Sequence, residues 1–452
     1  MVAMAKTPIT LARHARALVK LTINTRARFD RRRRNRPTGG KIFHRHLIIV
    51  TAPLGSITTL PELAMRLRFA SFALLGLLAS SIGILAMERP THAAETDELS
   101  AYIGTYSTGK SEGIYLLQLA ITGDKITSSN LTLAAKSKNP SFVALHPSGK
   151  LLYAVNETGD FQGKPQGAVS AFKINDDGTL TLINEQPTLG TAPCHLVVDK
   201  TGANVLIANY GGGNVVSFHL GEDGALGEPV TNIVHQKEAD TVRGPHAHSI
   251  NLDAANRFAF AADLGLDKIL VYKFDEKTGK LTPHDPPSAS VPQGAGPRHF
   301  AFHPSGKRAY AINESDMTLT AFDYDAAAGK LTPTQTLSTV PDDVTDRKGF
   351  STAEVQVHPS GKFVYGSNRG QHTIAVFAVD EKAGKLKLIA NQPIRGKTPR
   401  NFGLSPDGQY LLACGQESNT ITVFRIDQNT GKLTTIGEPI EAPLPVCVKF
   451  VK

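Results

Sequence analysis

An all-β propeller of seven four-stranded blades is the fold this sequence predicts, from two repeat signatures and from the way the repeats are cut at the chain ends. The first signature is a strand followed by a Pro/Gly turn: SFVALHPSGK at Ser141, CHLVVDKTGA at Cys194, HSINLDAANR at His248, RHFAFHPSGK at Arg298, AEVQVHPSGK at Ala353 and RNFGLSPDGQ at Arg400, with VCVKFVK at Val446 a seventh. Their starts are 53, 54, 50, 55, 47 and 46 residues apart, close to the pitch of a four-stranded blade. The second is an aromatic strand, an acidic or glycine turn and another strand, as in FKINDDGTL from Phe172 and FRIDQNTGKL from Phe424. It recurs from Phe218, Tyr272, Phe322 and Phe377, with a degenerate copy, LQLAITGDKI, from Leu117. Each repeat therefore carries about four short strands.

The chain ends cut one blade in two. Residues 443–452 hold only a first-strand pattern, whereas residues 101–127 hold the later-strand patterns and lack a first strand. Closure of the ring by the C-terminal strand is expected, because it removes an open sheet edge.

Taken from the N-terminus, residues 1–64 form a basic extension with Arg31–Arg34 at its centre and no amphipathic period. Residues 65–94 read as a signal peptide: Met65, Arg66 and Arg68, an apolar stretch over 69–87, and THAAE, with Ala93 or Ala94 the last residue removed. Either translation starts at Met65, or residues 1–64 belong to a form that keeps the apolar stretch as a membrane anchor. Export to the periplasm or beyond is expected, and residues 95–452 form one propeller domain without membrane insertion of its own. Residues 1–93 carry 16 Lys/Arg against 3 Asp/Glu, and the remainder 33 against 37. The propeller is mildly acidic, so a pI near 9.3 gives no reason to expect nucleic-acid binding.

Cys194, Cys414 and Cys447 fit no metal spacing and cannot all pair; buried small thiols are the plainer reading, with one bridge the alternative. The chain has no Trp, against a WD-type propeller, and no P-loop or dinucleotide fingerprint. The glycine runs at 211–213 and 294–296 read as turns rather than phosphate cradles.

Positions that differ between copies of a repeat are where function is sought. The strand starts vary as Ser141, Cys194, His248, Arg298, Ala353 and Arg400, each followed by Phe142, His195, Ser249, His299, Glu354 or Asn401. The second-strand ends vary as Glu157, Tyr210, Leu264, Glu314, Arg369 and Gln416. In a hairpin both sets lie opposite the turn, so they collect on one face, while His146, His303 and His358 of the repeated turns lie on the other. First strands line a propeller's channel, so cationic and acidic groups converge on one mouth, as an acid/base or anion site requires.

The pattern of GPRH, HPSGK, YAINE and SNRG, with the opening YIGTYS and the GPHAHS segment, resembles the seven-bladed lactonase family over about residues 100–452. That family includes propeller-type 6-phosphogluconolactonases and fungal carboxymuconate-lactonising enzymes. The resemblance implies hydrolysis of a sugar-acid lactone with catalytic residues His248, Arg298, Glu314 and Arg369, and His246 as the alternative to His248. Glu314 or His248 would be the general base, and Arg298 with Arg369 the clamp on the oxyanion or substrate anion. His195, His246, Arg400 and Glu354 are the further substrate contacts expected. An Arg298–Glu314 ion pair within one hairpin is compatible with these roles. A metal at His246 and His248 lacks an evident third ligand, so neither metal nor cofactor is expected, and a monomer acting on a small lactone is. A non-catalytic binding propeller and a muconate-type cycloisomerase are the competing functions.

Overall fold

The computed structural model describes residues 95–237 and 243–451. The basic extension and the signal peptide lie outside the described residues. Within them, 28 strands form seven antiparallel four-stranded sheets. The innermost strands are Phe142–Leu145, Pro193–Val198, Ala247–Leu252, Pro297–Phe302, Ser351–Val357, Pro399–Leu404 and Pro445–Phe450. Each packs against the innermost strand of the next sheet, and the last against the first, so the seven sheets close a ring as blades around a channel.

The closing blade is shared by the two ends of the chain. Pro445–Phe450 pairs antiparallel with Thr96–Thr105, with Tyr102 opposite Lys449 and Ile103 opposite Val448, as the cut repeat predicts. Apolar faces of successive blades pack together; Tyr153, Phe172 and Phe218, for example, share one buried cluster. Cys194, Cys414 and Cys447 are all buried and none is bridged.

The His-Pro-Ser-Gly turns fasten one blade to the next. Nε2 of His146, His303 and His358 bonds the carbonyl of Gly202, Gly361 and Gly408 in the following blade at 2.8–2.9 Å, and each Nδ1 bonds the Ser two residues on at 2.8 Å. Gly361 has φ of 75°, and a Cβ there would stand 2.7 Å from the His303 ring. The turn therefore needs glycine both for its backbone and for the neighbour's imidazole. Tyrosines of the second strands repeat the device, Tyr102, Tyr153 and Tyr365 donating to the carbonyls of Gly178, Gly224 and Gly431 at 2.9 Å.

His358 is 2% exposed, the most buried of the three turn histidines. His358→Ala removes both bonds and leaves the Gly408 carbonyl to the Gln428 amide, so a loss of about 1–3 kcal/mol is expected. A urea melt checks it, read as a lower midpoint at unchanged slope.

Candidate active site

Two backbone devices, repeated around the ring, aim side chains at one mouth of the channel. Asn139, Ala192, Gly296, Thr398 and Leu444 all have positive φ, between 42° and 68°, and each is followed by proline. Four of these prolines, 193, 297, 399 and 445, open an innermost strand, a position that needs no ladder N–H. The carbonyls of residues 139, 192, 246, 296 and 398 accept from the backbone N–H of Glu157, Tyr210, Leu264, Glu314 and Gln416 at 2.7–3.0 Å. Second-strand ends are thus tied to first-strand starts, in the register inferred from the repeats.

The second device is a β-bulge. Pairing jumps from Pro193 to His195, Ala247 to Ser249, Pro297 to His299, Thr352 to Val355 and Pro399 to Asn401. The extra residues are Cys194, His248, Arg298, Arg400 and the pair Ala353–Glu354. A bulge re-aims its side chain out of strict alternation, which lets Arg298 and His299 both be buried towards the channel.

Glu314 joins two arginines. Its Oε2 lies 2.8 Å from Arg298 Nε and 2.9 Å from Arg369 Nη2. The Arg298 N–H is not aimed along that line, so the contact is an ion pair rather than a directed hydrogen bond. Arg298 Nη1 donates to the Ala353 carbonyl at 2.7 Å and Arg369 Nη2 to the Thr352 carbonyl at 2.8 Å. Burial alone would raise the Glu314 carboxyl, but the Arg298 and Arg369 charges outweigh it and hold the group below its usual range. Arg298 is pulled down to about 10, chiefly by burial and then by Arg400 and Arg369. Exposure separates these side chains: Arg298 2%, Arg369 16% and Glu314 26%.

Arg400 is partnered elsewhere, 3.9 Å from Glu157 and over the ring of Tyr106, whose hydroxyl donates to both Glu157 oxygens at 2.9 Å. Burial lowers the Arg400 pKa but Tyr106 and Glu157 outweigh it, for a net rise. The opening YIGTYS motif marks Tyr106 in the sequence, yet nothing there assigns it this role.

Behind the charged groups lies a layer of imidazoles. The His248 ring meets His299 edge-on at 5.4 Å, and His299 meets His195 at 5.3 Å. Burial first, then neighbouring charge including Arg298, holds all three well below the usual His range and therefore neutral at pH 7. His248 Nδ1 lies 3.5 Å from Cys194 Sγ. His195 and Glu354 sit in this deeper part of the channel, Glu354 contacting His299 Nδ1 at 3.1 Å and accepting from Asn401.

His246 does not lie along the strand with His248: it precedes Ala247, where the strand begins, and His248 is itself the bulged residue. Its ring stacks on Tyr210 at 4.6 Å, and its backbone N–H donates to Asp263 Oδ1 at 2.8 Å. Asp263 Oδ2 contacts His235 Nδ1 at 2.6 Å, and His235 Nε2 bonds the Tyr272 hydroxyl at 2.8 Å. This buried Asp–His–Tyr chain holds the His-rich segment, and no local motif announces it. Among the described residues no group of three His, Cys, Asp or Glu side chains is placed to hold a metal.

A family model for the lactonase 7-bladed β-propeller matches residues 100–450. The chain belongs to the seven-bladed β-propeller lactonase family. A 6-phosphogluconolactonase from Bacillus subtilis is 38% identical to this lactonase-family chain over 353 residues, 77% of it and 97% of the relative. One from Formosa agariphila is 34% identical over 285 residues, covering 59% and 75%. The structure of a periplasmic gluconolactonase from Pseudomonas aeruginosa superposes with a TM-score of 0.71 at 27% identity, over 79% of this chain and 99% of that one.

Glu314→Gln leaves Arg298 buried without its counter-ion and is expected to cost roughly 2–4 kcal/mol at pH 7. Because the folded Glu314 carboxyl ionises below its unfolded value, that stabilisation is present above the ordinary glutamate range and lost as pH falls through the folded pKa. The gap between wild type and variant in urea melts should therefore narrow from pH 7 to pH 3. A gap of unchanged size would mean that packing, not charge, sets it.

Proposed function

We propose that this chain is an exported lactonase that opens the ester ring of a sugar-acid lactone, with Glu314 as general base and Arg369 as the oxyanion clamp. The observation that carries this is the Glu314 carboxylate, held ionised by two guanidiniums yet 26% exposed at the channel mouth. In the proposed step Glu314 takes a proton from water as its oxygen bonds the lactone carbonyl carbon, and the carbonyl oxygen becomes an oxyanion facing Arg369. Collapse of the adduct breaks the ring C–O bond, and the departing oxygen takes the proton back from Glu314. The product is the open hydroxy acid. Arg298, 2% exposed, acts from behind by fixing Glu314 and contributing charge. His248, 5% exposed, is the less accessible alternative base.

Charge at the mouth bears on the substrate. Inside the mouth, Arg243 at the rim not counted, Arg298, Arg369 and Arg400 face Glu314 and Glu157 among the described residues, a surplus of one positive charge that matches one developing oxyanion. An unphosphorylated lactone is therefore the substrate we favour, in keeping with the export expected from the sequence of residues 65–94 and with the periplasmic gluconolactonase neighbour. Arg243, exposed at the rim and bonded to Ser315 Oγ at 3.0 Å, is the group through which a 6-phosphate would be held. The binding-module reading calls for a large apolar or aromatic surface patch. Among the described residues the large exposed apolar side chains are Leu182, Leu189, Val230 and Val234, none aromatic and none on the two inner strands of a blade.

Assays of gluconolactone and its 6-phosphate test the reading, and inactivity on both would overturn it. Arg369→Gln leaves Glu314 paired with Arg298 and should keep its melting temperature while losing about 30-fold to 1,000-fold in rate. Gln416→Ala, at the equivalent place in the following blade, should change the rate little. Undiminished activity in a folded Arg369→Gln protein would remove Arg369 from the mechanism.

A further inference from the structure

The channel has a second end. Beyond the imidazole layer, towards the repeated turns, a cavity of about 410 Å³ is lined by the later residues of the innermost strands, Asn251 and Lys449 among them, with Phe142, His195, His299 and Glu354 at its inner end. A cavity of this size is within the range that holds a small organic ligand. None of the groups proposed to carry out the lactone chemistry lines it.

Its polar groups are unequally satisfied. Glu354 is fully engaged: Oε1 accepts from the Val355 N–H at 3.0 Å, while Oε2 contacts His299 Nδ1 at 3.1 Å and accepts from Asn401 Nδ2. Engaged in this way, Glu354 sets the His299 tautomer, with the proton on Nδ1 and Nε2 left as an acceptor. That Nε2 is buried without a partner, in a residue 4% exposed, and Asn251 Nδ2 is a buried donor without one. Lys449 places Nζ 4.4 Å from the centre of the Phe142 ring and makes no ion pair among the described residues. Unmade bonds to buried polar atoms are costly, so this set is complementary to a ligand.

We infer that the turn-side end of the channel is a second small-molecule site, built for a hydroxy-carboxylate anion. A carboxylate answers the Lys449 ammonium and the Asn251 amide, both donors. A hydroxyl on the same molecule donates to His299 Nε2. One cation matches one negative charge, and the Glu354 carboxyl in the same wall disfavours a phosphate dianion. The site stands apart from the reaction proposed at the opposite mouth and does not depend on it.

Calorimetric titration of the full chain with gluconate tests this. Lys449→Met and Asn251→Ala, both outside the proposed lactone machinery, should each weaken binding at this site by about 10-fold to 150-fold with little change in melting temperature. Arg369→Gln should leave it unaltered. Two equivalents in the wild type, falling to one in Lys449→Met, is the expected result. A single equivalent that Lys449→Met abolishes and Arg369→Gln spares supports the second site even if no lactone is turned over. Wild-type gluconate binding in both folded Lys449→Met and Asn251→Ala proteins overturns it, as does an absence of gluconate binding altogether.

Discussion

One extra residue in the innermost strand of most blades is the constraint on which the channel depends. A regular strand sends alternate side chains to opposite faces, so of two consecutive residues one would be turned away from the channel. The bulges at Cys194, His248, Arg298, Arg400 and Val446, and the double one at Ala353–Glu354, relax that rule at equivalent heights in six blades. Equivalent heights make a ring of them. Because the ring is closed by the two chain ends, the bulged residues face one another rather than solvent.

Facing one another, they must be electrically compatible. Arg298 is 2% exposed, and a guanidinium so placed is tolerated only with a counter-charge and satisfied donors. Glu314 supplies the charge, the Ala353 carbonyl takes one donor, and Glu314 in turn directly follows the second strand of the same blade, Arg308–Asn313. Arg369 reaches Glu314 from the next blade, so the carboxylate also ties two blades together. Arg400 is drawn off by Glu157 and Tyr106, which limits repulsion among three arginines without removing the third charge.

Much of this could be read in the repeats, and for a definite reason. A repeat holds the scaffold constant, so Arg298, Glu314 and Arg369 stood out as departures at fixed register, and the backbone bonds from Glu157, Tyr210, Leu264, Glu314 and Gln416 follow that register. The missing first strand near Ala101 likewise located the closure. Bulges were not legible, because an inserted residue leaves no periodic trace in a strand of six. His248 is itself such a residue, with His246 ahead of its strand, and Glu354, next to a strand start, belongs with His299 rather than with Glu314. Partners distant in sequence escaped too: Asp263, His235 and Tyr272 are joined only by the fold, and Lys449 reaches the channel only because the chain ends close it.

The imidazole layer links the two halves of the channel. Protonating His195, His248 or His299 would add a buried positive charge near Arg298, so burial first and neighbouring charge second keep the rings neutral. A neutral, close-packed floor serves a mouth that carries net positive charge. It denies the arginines a watery layer beneath them, so their attraction for a developing oxyanion is weakened less than it would be in bulk solvent. On its other side Glu354 and Lys449 line a cavity that Arg369 does not line. Two chemically different ends of one channel follow from a layer of three rings kept neutral by burial first and by the neighbouring charges second.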